Sequence, residues 1–394
     1  MVEEIFILSA VRTPVGRYGG ALKSLNSGQL ASIAIKEAIN RAGISADQVD
    51  EVIMGEVRQT TESSNVARVA ALRAGVPESA AAFTINRLCA SGMQAVASGA
   101  QQIAFGQAEI VVAGGTESLS NAPIYLRNSR FGGDNTKLVD SNTEAGQQPV
   151  EIYGHDLGMG ITAENVAERF SISREDQDAF ALESQVRAST AIDNNHFQNE
   201  IVPVEIKNRK SSFIFTVDEH PRPETSLEAL NKLRPAFKEN GTVTAGNACG
   251  RNDGAAALVL TSASHAGKLG VKPLAKIVDW TSVGVSPEIM GIGPVPAVRK
   301  LLERTGLTLD DIDLIELNEA FAAQSLAVIR ELNLNMDKVN VNGGAIALGH
   351  PLGATGAKII TTLIHELRRR EKKRGIATLC VGGGQGMALM VEVM

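Results

Sequence analysis

Cysteine and aromatic residues are scarce in this chain. Among 394 residues there are three cysteines, one tryptophan and three tyrosines. The thiols stand at Cys89, Cys249 and Cys380, with no C-x-x-C pair and no cysteine–histidine spacing suited to a metal. A disulfide framework and a dithiol redox motif are excluded, no metal is expected, and a reducing compartment is the natural home. Excess positive charge is also missing. Lysine and arginine number 38 against 44 acidic residues, a net charge of -6, which argues against a general nucleic-acid binder. No apolar run is long enough to span a bilayer. The first such run, Ile5-Phe6-Ile7-Leu8, follows two glutamates and precedes Arg12, so it lacks the basic start of a signal peptide and reads as a buried first strand. The expectation is a cytoplasmic protein with neither membrane nor nucleic acid as partner.

What the chain has is core. Hydrophobic residues make up 44% and charged residues 21%, in a length that allows two or three domains. Leu30–Ala42, Ser63–Ala74 and Ala90–Phe105 read as helices. Val52–Gly55, Phe83–Ile85 and Glu109–Gly115 read as strands, the last running into a glycine turn. The rhythm recurs later: a helix closing over Leu301–Gly306, strands at Asp313–Leu317 and Val339–Val341, a helix over Ala354–Arg370, and a strand at Ile376–Leu379 entering Gly382–Gly384. Alternation of this kind predicts parallel sheets covered by helices. Its recurrence predicts a duplication. Residues 121–248 break the rhythm, with Thr162–Phe170 and Arg174–Phe197 as helices, the second capped by Ser173. We divide the chain into a first half, 1–120, completed by about 249–272; an inserted loop domain, 121–248; and a second half, 273–394.

Three segments carry chemistry. Cys89 in Asn86-Arg87-Leu88-Cys89-Ala90-Ser91-Gly92 follows a strand and opens a helix, where unpaired backbone N–H groups favour an anion and should lower the thiol pKa. A buried, inert core residue is nonetheless the commoner fate of a free thiol. His350, bracketed by Gly349 and Pro351, sits on a tight loop, suited to taking a proton from a thiol. Cys380 ends a strand and meets three glycines whose N–H groups can converge on an anion; the spacing does not fit a dinucleotide loop. Asn318-Glu319-Ala320-Phe321 ends another strand, with an asparagine able to hold a water or a carbonyl and a glutamate that is either a base or an orienting partner.

These residues identify a resemblance. The Cys89 segment, the run Asn340-Val341-Asn342-Gly343-Gly344-Ala345-Ile346-Ala347-Leu348-Gly349-His350-Pro351, and the Cys380 glycine run are similar to the signature regions of the thiolase family, nearest to its acetyl-CoA acetyltransferases. The resemblance implies a duplicated five-layer αβαβα fold with an inserted loop domain. It implies that Cys89 carries the acyl group, that His350 activates it, and that Cys380 exchanges a proton with the α-carbon or with CoA. Asn318, through a water, and His350 would form one oxyanion hole; the N–H groups of Cys89 and Gly382 would form the other. Coenzyme A enters as substrate and product, with no resident cofactor. Its contacts are expected at Arg222, Ala245, Ala248, Cys249, Met159, Ala320 and Phe321; of the other cations in the insertion, Lys207, Arg209, Lys210, Lys232 and Arg234, most of the lysines read as ordinary solvated surface. A homodimer or homotetramer is implied, with the loop 122–146 available for tetramer contacts.

Two departures bear on substrate choice. Cys249 stands where such acetyltransferases often carry serine, and Gly158 stands in place of a histidine. The expected activity is condensation of two acetyl-CoA to acetoacetyl-CoA and CoA, or the reverse thiolysis. The alternatives are thiolysis of longer 3-ketoacyl-CoA in fatty-acid oxidation and, from another class, a non-catalytic acyl-CoA or lipid-binding protein. A decarboxylating ketoacyl synthase fits less well, because Cys380 replaces the second histidine or asparagine of such sites.

Overall fold

A computed structural model describes residues 3–132, 135–144, 146–154, 157–207 and 211–394; Arg209, Lys210 and His155 lie outside the described residues. The principal strands are β1 (Ile5–Arg12), β2 (Glu51–Gly55), β3 (Ala81–Ile85), β4 (Ile110–Ser118), β5 (Asn252–Ser262), β6 (Ala275–Gly284), β7 (Leu314–Leu317), β8 (Arg374–Val381) and β9 (Gln385–Val393). The helices that matter here are α1 (Ser27–Arg41), α2 (Val66–Ala74), α3 (Ser91–Ala104), α4 (Met159–Arg169), α5 (Arg174–Asp193), α6 (Pro294–Thr305), α7 (Ala322–Leu332) and α8 (Leu352–Arg369).

The strands lie in the order β3-β2-β4-β5-β1, then β6-β9-β8-β7. Beyond β7, Val339 makes a single parallel bridge to Ile315, where the first half has a full strand. Each half therefore follows one plan: β1 answers to β6, β5 to β9, β4 to β8 and β2 to β7. Within the sheet, Ile5, Phe6 and Ile7, opposite Ile277, Lys276 and Ala275, join the halves, and an isolated bridge between Arg251 and His350 joins them again beside the loop before α8.

Strand faces explain the layers. On β4, Val111 and Ala113 pack into the central core while Ile110 and Val112 pack outward against α1 and α2. On β9, Leu389 and Val391 face the centre, and Ala388 and Met390 face α6 and α7. Both faces are covered, so these strands read as continuous apolar runs. Helices α3 and α8 fill the central layer through Met93, Val96, Ala100, Ile360, Leu363 and Leu367. The result is five layers: α1/α2, sheet, α3/α8, sheet, α6/α7.

Two expectations are corrected. The sheet is mixed rather than parallel: β2 runs parallel to β3 and β4, and β7 to β8, but β1–β5, β4–β5, β8–β9, β6–β9 and the β1–β6 seam are antiparallel. The tight loop Gly382–Gly384 joins β8 to β9 as a hairpin, and a hairpin reverses the chain where a crossover helix would not. Second, Gly114 and Gly115 are not a turn. They pair within β4 opposite Ala257 and Ala256. Their small size serves packing instead, since a Cβ on Gly115 would collide with the Gly353 carbonyl at the start of α8.

The predicted helix over Arg174–Phe197 ends at Asp193, where Asn194 leaves helical geometry; Ser173 caps its start by accepting from Asp176 N. Residues 121–248 contribute α4, α5, a hairpin of Ile124–Arg127 with Lys137–Asp140, and a second of Val204–Lys207 with Ser212–Phe215. A buried ion cluster ties this segment to the core. Arg12 on β1 donates to Glu200 (2.5 Å) and, through both terminal nitrogens, to Asp218 (2.7 and 2.9 Å). Thr362 on α8 also donates to Glu200. Among the described residues, no helix is long and apolar enough to cross a membrane.

Candidate active site

The three chemistry-bearing segments arrive at neighbouring strand ends. Between β3 and α3 the chain turns through Asn86–Ala90. Leu88 adopts φ +46°, a left-handed conformation that costs a leucine about 1–3 kcal/mol. Local bonds hold it there: Leu88 N donates to the Asn86 side chain (2.8 Å), and the Ser91 hydroxyl donates to Leu88 O (2.6 Å) while accepting from Arg87 N (2.9 Å). This strained turn presents Cys89 to a cavity of about 400 Å³. His350 approaches from the loop before α8. Gly349 has φ +90°, and a Cβ there would meet the Asn252 amide at 2.6 Å, so only glycine fits. Asn252 in turn accepts His350 N at 2.9 Å.

Cys89, His350, Cys249, Met159, Ala320 and Phe321 all line that cavity. Cys380, buried at the end of β8, packs in one apolar cluster with Ala320, Phe321, Met290, Met159 and Ala248. The three sulfurs lie close enough to feel one another's charge. The backbone N–H groups of Gly382 and of Cys89 itself point at the Cys89 sulfur. Asn318, at the end of β7, is buried, and neither its carbonyl oxygen nor its amide nitrogen has a protein partner. Buried polar atoms are normally bonded, so such a side chain is aimed at a ligand or a water.

Hydrogen bonding fixes the imidazole. Thr355 Oγ1 lies 2.6 Å from His350 Nδ1 and donates its own proton to Pro351 O at 2.9 Å. With that proton committed, the hydroxyl accepts from Nδ1–H. Nε2 is then the unprotonated nitrogen, and it is buried without a protein partner. Burial, reinforced by the Lys358 charge, holds the imidazole pKa down to about 3, so the ring is neutral at pH 7.

The expected lowering of the Cys89 pKa is not found. Burial outweighs the two N–H groups and the Arg58 charge, and the thiol is pushed up to about 11. Burial also raises Cys249, to about 12, and Cys380. The resting site thus holds neutral thiols beside a neutral imidazole, and proton transfer has to accompany attack. Glu319 is an orienting residue. Its carboxylate accepts from Ser184 (2.6 Å), Asn340 (2.8 Å) and Ile346 N (3.2 Å), bracing the loop that leads to His350.

Several expected contacts lie off the lining. Ala248 is half-buried and bridges Phe321, whereas Ala245 is exposed. Arg222 is also exposed, its backbone N–H donated to Gln185 at 2.8 Å. Lys207 and Lys232 are exposed and paired with Glu205 and Glu228; Arg234 is exposed. Other lining residues escaped the sequence reading: Val57, Arg58, Gln147, Phe237 and Met290. Nothing in their neighbourhoods distinguishes them from core or surface residues. The role of Glu117 was equally hidden. Its buried carboxylate, at the end of β4, accepts from Val57 N (3.1 Å), Arg58 N (3.0 Å) and Gly353 N (2.8 Å), tying the cavity wall to the first turn of α8.

Comparison with known proteins adds the following. Residues 5–264 match the model of the thiolase N-terminal domain, and residues 271–393 that of the thiolase C-terminal domain. An acetyl-CoA acetyltransferase of Syntrophomonas wolfei is 52% identical, with 100% of each chain covered. A mitochondrial 3-ketoacyl-CoA thiolase of Bos taurus is 48% identical, covering 100% of this chain and 99% of the relative. A beta-ketoadipyl-CoA thiolase of Pseudomonas aeruginosa is 51% identical, with 100% of each covered. Among solved structures, the Bacillus anthracis acetyl-CoA acetyltransferase superposes with a TM-score of 0.97 at 49% identity, covering 100% of this chain and 99% of that one. Human mitochondrial 3-ketoacyl-CoA thiolase in complex with CoA superposes with a TM-score of 0.95 at 46% identity, covering 100% and 98%.

Proposed function

This chain belongs to the thiolase family and is an acyltransferase; on that premise we propose that it condenses two acetyl-CoA to acetoacetyl-CoA and CoA, and runs the reverse thiolysis, through an acyl group carried on Cys89. The observation that supports this most is the unprotonated Nε2 of His350 facing the cavity that Cys89 lines.

In the first half-reaction Cys89 Sγ attacks the thioester carbonyl as its proton passes to His350 Nε2. Charge builds on the carbonyl oxygen, where the N–H groups of Cys89 and Gly382 receive it; one such donor is worth about 3–4 kcal/mol. Cys380 gives its proton to the departing CoA sulfur. In the second half-reaction the Cys380 thiolate removes the α-proton of the next acetyl-CoA. Its raised pKa suits that task, because a more basic thiolate takes a weakly acidic proton more readily. His350, now protonated at Nε2, and Asn318, through a water, hold the enolate oxygen. The enolate attacks the acyl carbon, Cys89 leaves as thiolate, and His350 returns its proton. No metal or resident cofactor has a step in this scheme; CoA is substrate and product.

A second reading, thiolysis of longer 3-ketoacyl-CoA, draws support from the cavity. The space where a Gly158 side chain would stand is open within 4 Å, on the lining of the cavity that Cys89 shares. Met159, Ala320, Phe321 and Cys249 would contact the acyl and pantetheine chain, with Ala245 and Ala248 nearer the mouth and Arg222 at the nucleotide end.

We assign the protein to the cytoplasm, in keeping with its free thiols. Assembly into dimers or tetramers is supported by the edge strand β3 and by the hairpin bearing Ile124, Leu126 and Leu138, whose apolar side chains are exposed.

Intact-protein mass after incubation with acetyl-CoA and with a longer 3-ketoacyl-CoA tests the scheme and the chain preference together. Cys89→Ser should abolish the mass increase. Cys380→Ser should keep it and block condensation. Normal turnover by Cys89→Ser would end the proposal.

A further inference from the structure

No step of the reaction uses His220, yet this half-buried ring stands against the residue that holds the His350 backbone. That residue is Asn252, fully buried at the start of β5. Its Oδ1 accepts His350 N at 2.9 Å, and its Nδ2 donates to Gly16 O at 2.9 Å. One partner is a backbone donor and the other a backbone acceptor, so together they fix which way the amide faces. Nδ2 also lies 3.3 Å from His220 Nδ1. An amide nitrogen donates and does not accept. Nδ1 is therefore the acceptor, and the neutral ring carries its proton on Nε2. Burial, then the charges of Arg222 and Arg17, outweigh the opposing charge of Asp218 and hold the ring pKa down to about 4, so His220 is neutral at pH 7.

The seating is close. A Cβ on Gly349 would meet the Asn252 amide at 2.6 Å, and one on Gly250 would meet His220 Cε1 at 2.2 Å. The segment that delivers His220 is pinned on both sides. Asp218 accepts Val15 N at 2.7 Å, Glu219 accepts Arg17 N at 2.7 Å and Ala21 N at 2.9 Å, and Arg17 Nη2 donates to Pro221 O at 3.3 Å. A ring on so tightly held a segment is a fixed reference for the Asn252 amide. Thr355 sets the direction of the imidazole, whereas Asn252 sets where its backbone stands. The second matters for rate, since a 1 Å misplacement of a reacting group can cost about 100-fold. We propose that His220 is a positioning residue for acyl transfer: by accepting from Nδ2 it keeps the Asn252 amide aligned on the His350 N–H, and so keeps Nε2 in reach of the Cys89 proton. The assignment rests on His350 taking that proton. Without the His220 acceptor one Nδ2 proton loses its partner. The amide then tilts to share Gly16 O and draws Oδ1 away from His350 N. His220 itself touches no substrate, so its loss acts on rate and not on binding.

The test measures Cys89 acylation by acetyl-CoA with rapid-quench intact mass, and kcat and KM for thiolysis of acetoacetyl-CoA. His220→Leu should slow acylation and lower kcat by about 10- to 100-fold, with KM for either substrate changed less than about twofold. His220→Asn, whose side-chain oxygen replaces Nδ1 as acceptor, should recover most of the rate. Asn252→Ala should also be slow, and adding His220→Leu to it should cost nothing more, because both changes cut one chain of bonds. Multiplying losses in the double variant would overturn the proposal. So would wild-type acylation by His220→Leu, or His220→Asn as slow as His220→Leu. A loss confined to KM would assign His220 to CoA binding instead. A measurement on the wild-type enzyme does not depend on how the variants fold: imidazole 15N shifts at pH 7 should show His220 protonated at Nε2 and bare at Nδ1, and the opposite tautomer would overturn the proposal. If wild-type Cys89 gains no acyl mass, the thiolase scheme falls with it; if it acylates normally and His220→Leu does too, only this inference falls.

Discussion

Replacing Thr355 by valine tests how the imidazole is held. The side chain is fully buried, and valine keeps its branched shape, so the change removes a hydroxyl and little else. It takes away the acceptor 2.6 Å from His350 Nδ1 and the donor to Pro351 O. A buried N–H left without a partner costs about 1–3 kcal/mol. The ring escapes that penalty only by moving its proton to Nε2, and the lone pair that accepts the Cys89 proton is then lost. By either route acylation of Cys89 should slow about 5- to 150-fold, since each 1.36 kcal/mol is a factor of ten. Rapid-quench intact mass gives the acylation rate, and steady-state thiolysis of acetoacetyl-CoA gives kcat and KM. The loss should fall on kcat, and Thr355→Ser should restore it. The wild-type acylation rate should show no decline as pH falls through 6.5, because burial has already carried the imidazole down to about 3. A valine variant that acylates at the wild-type rate, or a serine variant as slow as valine, would refute the tautomer argument.

Two further outcomes concern stability. Burial, and then the charge of Glu117, lifts the Glu56 carboxyl from 4.5 to about 8. Between those values the folded protein keeps a proton that the unfolded chain has released, so this group makes stability fall as pH rises through that window. Glu56→Gln removes the effect, and its stability relative to wild type should improve by up to about 5 kcal/mol across the window. Urea unfolding at several pH values measures this; parallel curves for the two proteins would contradict it. Arg12→Met should destabilise by about 3–5 kcal/mol, because Glu200 and Asp218 are left buried without their cation. A denaturation midpoint within error of wild type would show that the cluster is not what ties the insertion to the core.

The five layers and the segments of the site were legible because each has a local signature. Strands buried on both faces read as apolar runs, and α3 shows itself by small residues with few charges. Cys89, His350 and Cys380 stood out through the glycines and small residues that give their chain turns room. What could not be read was non-local or antiparallel. β6 alternates buried and half-buried positions with polar side chains interspersed, so it lacks the unbroken apolar run that marks β4 or β8. The paired glycines of β4 resemble a turn in isolation, and only the α8 backbone packed on them shows otherwise. The Cys89 pKa was misjudged because a helix start is visible in sequence and the protein mass around a sulfur is not.

The halves meet through few backbone pairs, yet Cys89 heads α3 in one and His350 precedes α8 in the other. A Cβ on Gly92 would stand 2.8 Å from the Gly353 carbonyl, so the two helices touch where their reactive residues emerge. Neither half owns the reaction. Reactivity is a property of their mutual placement, and small residues along that contact are constrained by the chemistry on either side of it. Turnover is in that sense a ruler laid across the gap between two folded bodies.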